Sequence, residues 1–338
     1  MQKIQNKVNS AIPFIYPKCI NTFNNWLYLE ENSKYFKKYQ NLISKPKLFD
    51  VSLRDGLQCL TKEEQKKFDI ENKKKIYHEI IYNFKPDYIE VGSLVSSKML
   101  PVMEDTSRLY EYCDIYSNIF NMNNKNFLLI PNFNKLMELK QTKKYIHCNY
   151  YSFITSVSSS FQKNNVNKTI EESKCELSRM IDYLYRFRLN NFIKLYISCI
   201  NECPILGKLD NDYIVEEILY YYKFNLNNIC LSDTCGSLTP NDFDYIINKC
   251  IYNGVSPSIL SLHLHINKNK ENEETRIQSI INIALEKNIS CFDVSMLQTG
   301  GCPVALSIND YSLSNLSYEL FYKCFVNYII NENNNENK

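Results

Sequence analysis

The chain has four histidines, and two of them form His263-x-His265. Residues i and i+2 of a strand point to the same side. Both imidazoles would then face one point. Two hydrogen-bonded core histidines would show the same spacing, but a same-face pair at a strand end favours metal ligation. Asp55 offers a carboxylate to complete such a set. Nitrogen and oxygen donors without thiolate suit Mg²⁺ or Mn²⁺, with Zn²⁺, Fe²⁺ or Co²⁺ left open. Arg54 puts a permanent cation beside the same point, where it could hold a developing oxyanion or simply a structural salt bridge. Glu90 interrupts an apolar run, which is costly unless the carboxylate is paired or functional. Arg54 or Lys98 would be its partner. Asp233 could join this chemistry or cap the helix that follows it. Cys302 sits in Gly300-Gly301-Cys302-Pro303, where two of only seven glycines are used. Unusual backbone geometry is expected there. A thiol in such a loop can transfer a proton or attack, unless it merely packs on a tight turn.

These residues need elements to position them. Eight short apolar runs predict strands at 48–53, 87–92, 127–132, 145–153, 194–199, 228–233, 260–265 and 291–296. Their near-continuous apolarity suits strands buried on both faces. Helix-like segments separate them at 62–84, 169–191, 210–226, 239–252, 273–287 and 315–330. Pro240 behind Thr239 is a favoured helix start. Eight strands alternating with helices predict an α/β fold, a (β/α)₈ TIM barrel with an N-terminal extension. An open dinucleotide-binding sheet would want G-x-G-x-x-G after its first strand, and the chain has none. Catalytic groups of such barrels collect at the C-terminal strand ends. Arg54-Asp55, Glu90, Asp233, His263-x-His265 and the Cys302 loop all fall at that rim.

The predicted organisation is an extension at 1–46, a barrel at 47–330 and a disordered Asn-rich tail at 331–338. Residues 1–28 lack acids, as transit peptides do, but they also lack arginine. We expect a segment packed on the barrel. The 39 basic and 37 acidic residues give a net charge of +2, which argues against a polyanion-binding surface and hence against nucleic acid. No run approaches the roughly 18 apolar residues of a membrane span. Thirteen cysteines are an odd number, many lie in apolar runs, and there is no secretory signal. Free thiols in a reducing compartment, cytoplasm or mitochondrial matrix, are expected. Cys199 and Cys203 read as structural, and the spacing gives no zinc knuckle.

Taken together, the motifs resemble those of the 3-hydroxy-3-methylglutaryl-CoA lyase family. The likeness runs from about Leu48 to Leu316. It comprises Arg54-Asp55-Gly56-Leu57-Gln58, the segment Ile89 to Lys98 with Pro101 and Met103, Ile130-Pro131-Asn132, Ile170-Glu171-Glu172-Ser173, Gly207-Lys208, Ser232-Asp233-Thr234 with Gly236 and Thr239-Pro240, His263-x-His265 and Gly300-Gly301-Cys302-Pro303. The last loop points to lyases over the related synthases. The resemblance implies a metal-dependent barrel that cleaves 3-hydroxy-3-methylglutaryl-CoA to acetyl-CoA and acetoacetate. Asp55, His263 and His265 would bind the cation, with a fourth ligand at Asn315, or at Asn309 as a fallback. Arg54 would stabilise the enolate and, with Ser93, contact substrate. Glu90 and Asp233 would be active-site acids, and Cys302 a proton carrier on a mobile loop. An acyl-CoA substrate and a homodimer are also implied. The segment after His265, Ile266 to Lys270, is longer and more basic than the family's short acidic turn. A synthase of the same superfamily, working in the condensation direction, and a non-catalytic scaffold homologue are the alternatives.

Overall fold

The computed structural model describes residues 46–141, 148–187, 191–297, 299–308 and 312–336. The predicted extension, apart from Pro46, and the fallback Asn309 lie outside them. Eight parallel strands form a closed ring: β1 (Lys47–Asp50), β2 (Tyr88–Ser93), β3 (Lys125–Leu129), β4 (Tyr150–Ser156), β5 (Phe192–Ser198), β8 (Asn228–Asp233), β9 (Leu260–Asn267) and β10 (Cys291–Val294). The short hairpin β6 (Glu202–Cys203) and β7 (Gly207–Lys208) follows β5. β10 pairs with β9 on one side and with β1 on the other, and this closes the ring. The chain is therefore a (β/α)₈ barrel, as the apolar periodicity predicts.

Period-two alternation sorts each strand into an inward and an outward set. Outward residues such as Ile193, Leu195 and Ile197 join the main core under the helices. Inward residues fill the barrel in layers. Phe49, Val51 and Phe127, with Tyr88, Tyr150 and Phe192 against them, close the end nearest the strand starts. The Phe49 and Phe127 rings meet edge-on, 4.9 Å between centroids. Above them Leu129, Tyr196 and Cys230 pack together, with Ile154 against them. The polar residues of the opposite mouth stand on this apolar floor.

Three departures from the predicted elements have local causes. The helix expected over 62–84 splits at Phe68, which is extended. Thr61 and Glu64 form a capping box for the first part, and Asp69 caps the second by accepting from the Asn72 N–H. That second part ends in a π-helical turn, Ile80–Phe84, with Lys85 left-handed after it. Asn315 does not open the last helix. It ends β11 (Leu313–Asn315), which pairs antiparallel with the end of β9. The final helix, Tyr318–Glu336, then continues six residues into the segment expected to be a disordered tail.

Candidate active site

β1 ends at Asp50, and a turn carries Arg54 and Asp55 over the mouth of the barrel. Asp50 shapes that turn by accepting from the Ser52 N–H at 2.8 Å. β9 runs further than expected and points His263 and His265 into the same mouth. Their Nε2 atoms are 3.2 Å apart. Asp55 Oδ2 lies 3.5 Å from His265 Nε2 and 4.0 Å from His263 Nε2. All three side chains are buried. Among the described residues this is the cluster whose donor atoms fall within 4.8 Å of one another as a metal set would.

The outer ring nitrogens show what the inner ones carry. His265 Nδ1 contacts the Asp233 carbonyl at 2.9 Å. A carbonyl can only accept, so Nδ1 holds the proton and the neutral ring leaves Nε2 bare. His263 Nδ1 contacts the Asp293 carboxylate at 3.1 Å, and the same reasoning applies. When both rings are neutral, two lone pairs and a carboxylate face one another, an arrangement that a cation satisfies and an empty hydrocarbon core does not. Arg54, with the hydrogen bond and charge of the histidines, outweighs burial and holds Asp55 well below the usual carboxylate range. Burial pushes His263 down. In His265 burial is outweighed by Asp55, and the ring is held above the usual histidine value.

Asn315 stands directly across from His265 in the β9–β11 ladder, so the two side chains share a face. Its Nδ2 donates to the Thr299 carbonyl at 3.1 Å, and its buried Oδ1 has no partner. That orphaned acceptor is available as a fourth donor. The residues present therefore fit a hard divalent cation.

Arg54 is gripped on two sides. Its Nη1 donates to Asp55 Oδ1 at 2.7 Å and its Nε to Glu90 Oε2. The guanidinium lies over the Tyr196 ring, 5.0 Å from its centroid. The Tyr196 hydroxyl donates to the same Glu90 oxygen at 3.1 Å. Glu90 is wholly buried and does not border the cavity. Asp233 also points away from it. Its Oδ1 accepts from the N–H groups of Ser237 and Leu238, and its Oδ2 from Arg276. Asp233 reaches the site through its carbonyl rather than its carboxylate.

The cavity, about 220 Å³, is bordered by Arg54, Asp55, Ser93, His263, His265 and Cys302 among others. Cys302 is half-buried, and its thiol donates to Asn165 Oδ1 at 3.5 Å. The loop before it is pinned by the Gly301 N–H, which donates to Asp55 Oδ2 at 3.2 Å. Gly301 is left-handed, with φ at 110°. The same loop thus carries the thiol and touches a candidate ligand.

Sequence reasoning missed Lys194, Asp293 and Tyr196, and quoted Gln58 only within a motif without giving it a role. Lys194 is wholly buried in the barrel and donates to Asp293 Oδ1. Its ammonium also lies over the Phe49 ring, 3.4 Å from the centroid. Burial opposes both charges, but each raises or lowers the other enough that the pair is ionised. Asp293 links Lys194 to His263. Gln58 donates to Asp55 Oδ1. A lone charge inside an apolar run was the available signal, and it marked Lys194 and Asp293 as clearly as Glu90. Cys199 and Cys203 lie outside the cavity lining. The Cys203 thiol is pulled down to about 5 by hydrogen bonds from Cys199, Ser158 and the local backbone.

The family model of the HMGL-like proteins matches residues 45–269, two thirds of the chain. The chain belongs to the HMGL-like family. It is 27% identical to the cytoplasmic 3-hydroxy-3-methylglutaryl-CoA lyase of Rattus norvegicus, over 64% of this chain but only 58% of that protein. It is 26% identical to the mitochondrial hydroxymethylglutaryl-CoA lyase of Macaca fascicularis, over 77% of this chain and 73% of the relative. A Pseudomonas aeruginosa relative named 3-hydroxy-3-isohexenylglutaryl-CoA/hydroxy-methylglutaryl-CoA lyase is 27% identical over 78% and 81% of the two chains. The fold is that of solved hydroxymethylglutaryl-CoA lyases. The Pseudomonas aeruginosa structure superposes with a TM-score of 0.65 at 21% identity, covering 85% of this chain and 87% of that one. One from Brucella melitensis gives 0.62 at 22% identity, covering 81% and 87%. Among the described residues of this family member, no helix is long and apolar enough to cross a membrane.

Proposed function

We propose that this chain is a divalent-metal-dependent carbon–carbon lyase that cleaves 3-hydroxy-3-methylglutaryl-CoA to acetyl-CoA and acetoacetate. One observation carries the reading: two imidazole nitrogens and a carboxylate converge beside a buried guanidinium at the mouth of the barrel. Asp55, His263 and His265, with Asn315 Oδ1, would hold the cation, and Mg²⁺ or Mn²⁺ suits that donor set. When bound, such a cation supplies Lewis-acid polarisation and eases loss of the substrate's hydroxyl proton.

The chain's own residues supply the rest. The hydroxyl proton passes to a base at the site, the C3 oxygen becomes the ketone of acetoacetate, the C2–C3 bond breaks in the retro-aldol sense, and charge moves onto the thioester oxygen. Arg54 receives that oxygen as an always-charged donor. Glu90 and Tyr196 aim the guanidinium from behind, so Glu90 acts through Arg54. Cys302 delivers a proton to C2 of the departing acetyl unit from the loop side of the cavity. Ser93 borders the acyl group. The thiols of Cys113, Cys230 and Cys250 are packed in the apolar core, as small hydrophobes in a reducing compartment such as cytoplasm or mitochondrial matrix would be.

The test is a coupled assay for acetyl-CoA release, run with Mg²⁺ or Mn²⁺, with EDTA, and on His263→Ala. Release that needs the metal and is lost in the variant is the expected result. No release by a folded, Mn²⁺-binding wild type would overturn the substrate assignment while leaving the metal centre standing.

A further inference from the structure

We propose that Cys203 and Cys199 form a peroxide-responsive thiol pair, with Cys203 as the nucleophile and Cys199 as the thiol that closes a disulfide onto it. The pair lies outside the lining of the cavity, so the inference goes beyond the lyase reading and does not depend on it. Cys203 ends β6, the first strand of the short hairpin after β5. Several donors converge on its sulfur. The Ser158 hydroxyl donates from 2.9 Å, close for an atom as large as sulfur. The Ser158 oxygen already accepts the Phe161 N–H at 3.2 Å, which leaves the hydroxyl proton for the sulfur. The Ile205 N–H donates at 3.4 Å, and the Leu206 N–H and the Cys199 thiol donate as well. A neutral thiol is only a weak acceptor. Four donors on one sulfur suit a thiolate, the nucleophilic form of cysteine. These hydrogen bonds, led by that of Cys199, outweigh burial and pull Cys203 down to about 5.

Cys199 is equipped for the second role. Its backbone is left-handed, with φ at 65°, a conformation that a residue with a Cβ adopts at a cost. Its N–H is fixed by Thr234 Oγ1 at 2.8 Å. The fold thus holds a strained turn that keeps this thiol against Cys203. Burial raises Cys199 well above the ordinary thiol value, so it retains a proton to give. Cys235, the third thiol beside them, donates instead to the Glu202 carbonyl at 3.5 Å. Both members of the pair are buried, and the hairpin tip against them, Ile205 and Leu206, is exposed. Peroxide is small enough to pass beneath that tip. Ser158 also begins the helix Ser159–Val166, whose Phe161 and Asn165 border the cavity. The Cys203 sulfur and the cavity wall therefore share one hydroxyl.

The oxidant is hydrogen peroxide. The Cys203 sulfur attacks one peroxide oxygen, the O–O bond breaks, and the departing hydroxide takes a proton to leave as water. Cys203 is then a sulfenic acid. The Cys199 sulfur attacks the oxidised sulfur, the S–O bond breaks, and a second water leaves with the Cys199 proton. Residues 195–208 form one tryptic peptide holding these two cysteines and no other. The reduced full-length protein would be treated with equimolar peroxide at pH 6, denatured in iodoacetamide and digested. The peptide should appear unblocked and lighter by two hydrogens, and doubly blocked when dithiothreitol precedes the iodoacetamide. Cys203 should be oxidised about tenfold or more faster than Cys113 or Cys250, because the thiolate fraction sets the rate. In Cys199→Ser the disulfide should be lost and dimedone should trap Cys203 as the sulfenic acid. Recovery of wild-type 195–208 doubly blocked after peroxide, whatever happens at Cys302, would overturn the inference. A disulfide from Cys203 to Cys235 would overturn the role of Cys199.

Discussion

Asp293 serves two partners at once, the Lys194 ammonium below it and the His263 ring above. Removing Lys194 would leave a carboxylate stranded in the middle of the barrel. Lys194→Met should therefore cost about 3–5 kcal/mol, the usual penalty for halving a buried pair. Urea unfolding monitored by circular dichroism measures it, and a loss below about 1 kcal/mol would mean that water reaches the pair. Cys302 presents the opposite case, a half-buried side chain whose proposed work is chemical. Cys302→Ser should lower kcat by about 10²-fold or more with little change in substrate binding. Unchanged turnover would remove the thiol from the proton path.

At the scale of elements, the loop that carries Cys302 is pressed onto β11. A Cβ placed on Gly300 would lie 2.7 Å from the Asn315 backbone nitrogen and closer still to its side chain. Gly300→Ala must push the loop and Asn315 apart. About an ångström of displacement at a reacting centre can cost 10²-fold. We expect kcat to drop tenfold or more while the melting temperature changes little, which thermal unfolding beside the lyase assay would show. β11 also marks where the sequence stopped being legible. The eight barrel strands were readable because each is a continuous apolar run, buried on both sides. Arg54, Asp55, His263 and His265 were readable because titratable groups stood together at the ends of those runs. A three-residue strand has no periodicity of its own. Asn315 was assigned to the following helix because its pairing with His265 is set by tertiary contact alone. The choice between chemistry and capping for Asp233 stayed open for a related reason, since no pattern tells whether a carboxylate or its own carbonyl faces the site. The split at Phe68 could have been read from Asp69, a good cap inside a charged periodic stretch.

For the molecule as a whole, a buried hydrogen bond joins the first strand to the last helix. The Tyr318 hydroxyl donates to Asp50 Oδ2 at 2.8 Å. Burial raises the Asp50 carboxyl from 3.8 to about 7, against the pull of its hydrogen bonds. The folded form then binds its proton more tightly than the unfolded chain does. Stability from this group should fall as pH rises from about 4 to about 7, and remain lower above that. The shift corresponds to about 4 kcal/mol at most. Asp50→Asn should abolish the fall, so the variant gains on the wild type as pH increases. Urea midpoints for both proteins between pH 4.5 and 8 would test it, and parallel curves would show that Asp50 stays ionised throughout.

The order of the candidate ligands along the chain has its own consequence. Asp55 follows the first strand, the two histidines sit on the seventh strand of the ring, and β10 brings those strands side by side by closing the ring between them. An unfinished polypeptide can carry Asp55, His263 and His265 and still be unable to gather them. Cation capture would thus certify a completed ring, and the binding energy would reward only molecules that have already closed. Ion availability in the cell would then act on this protein twice, first as a supply for chemistry and earlier as a clasp that selects finished copies from partial ones.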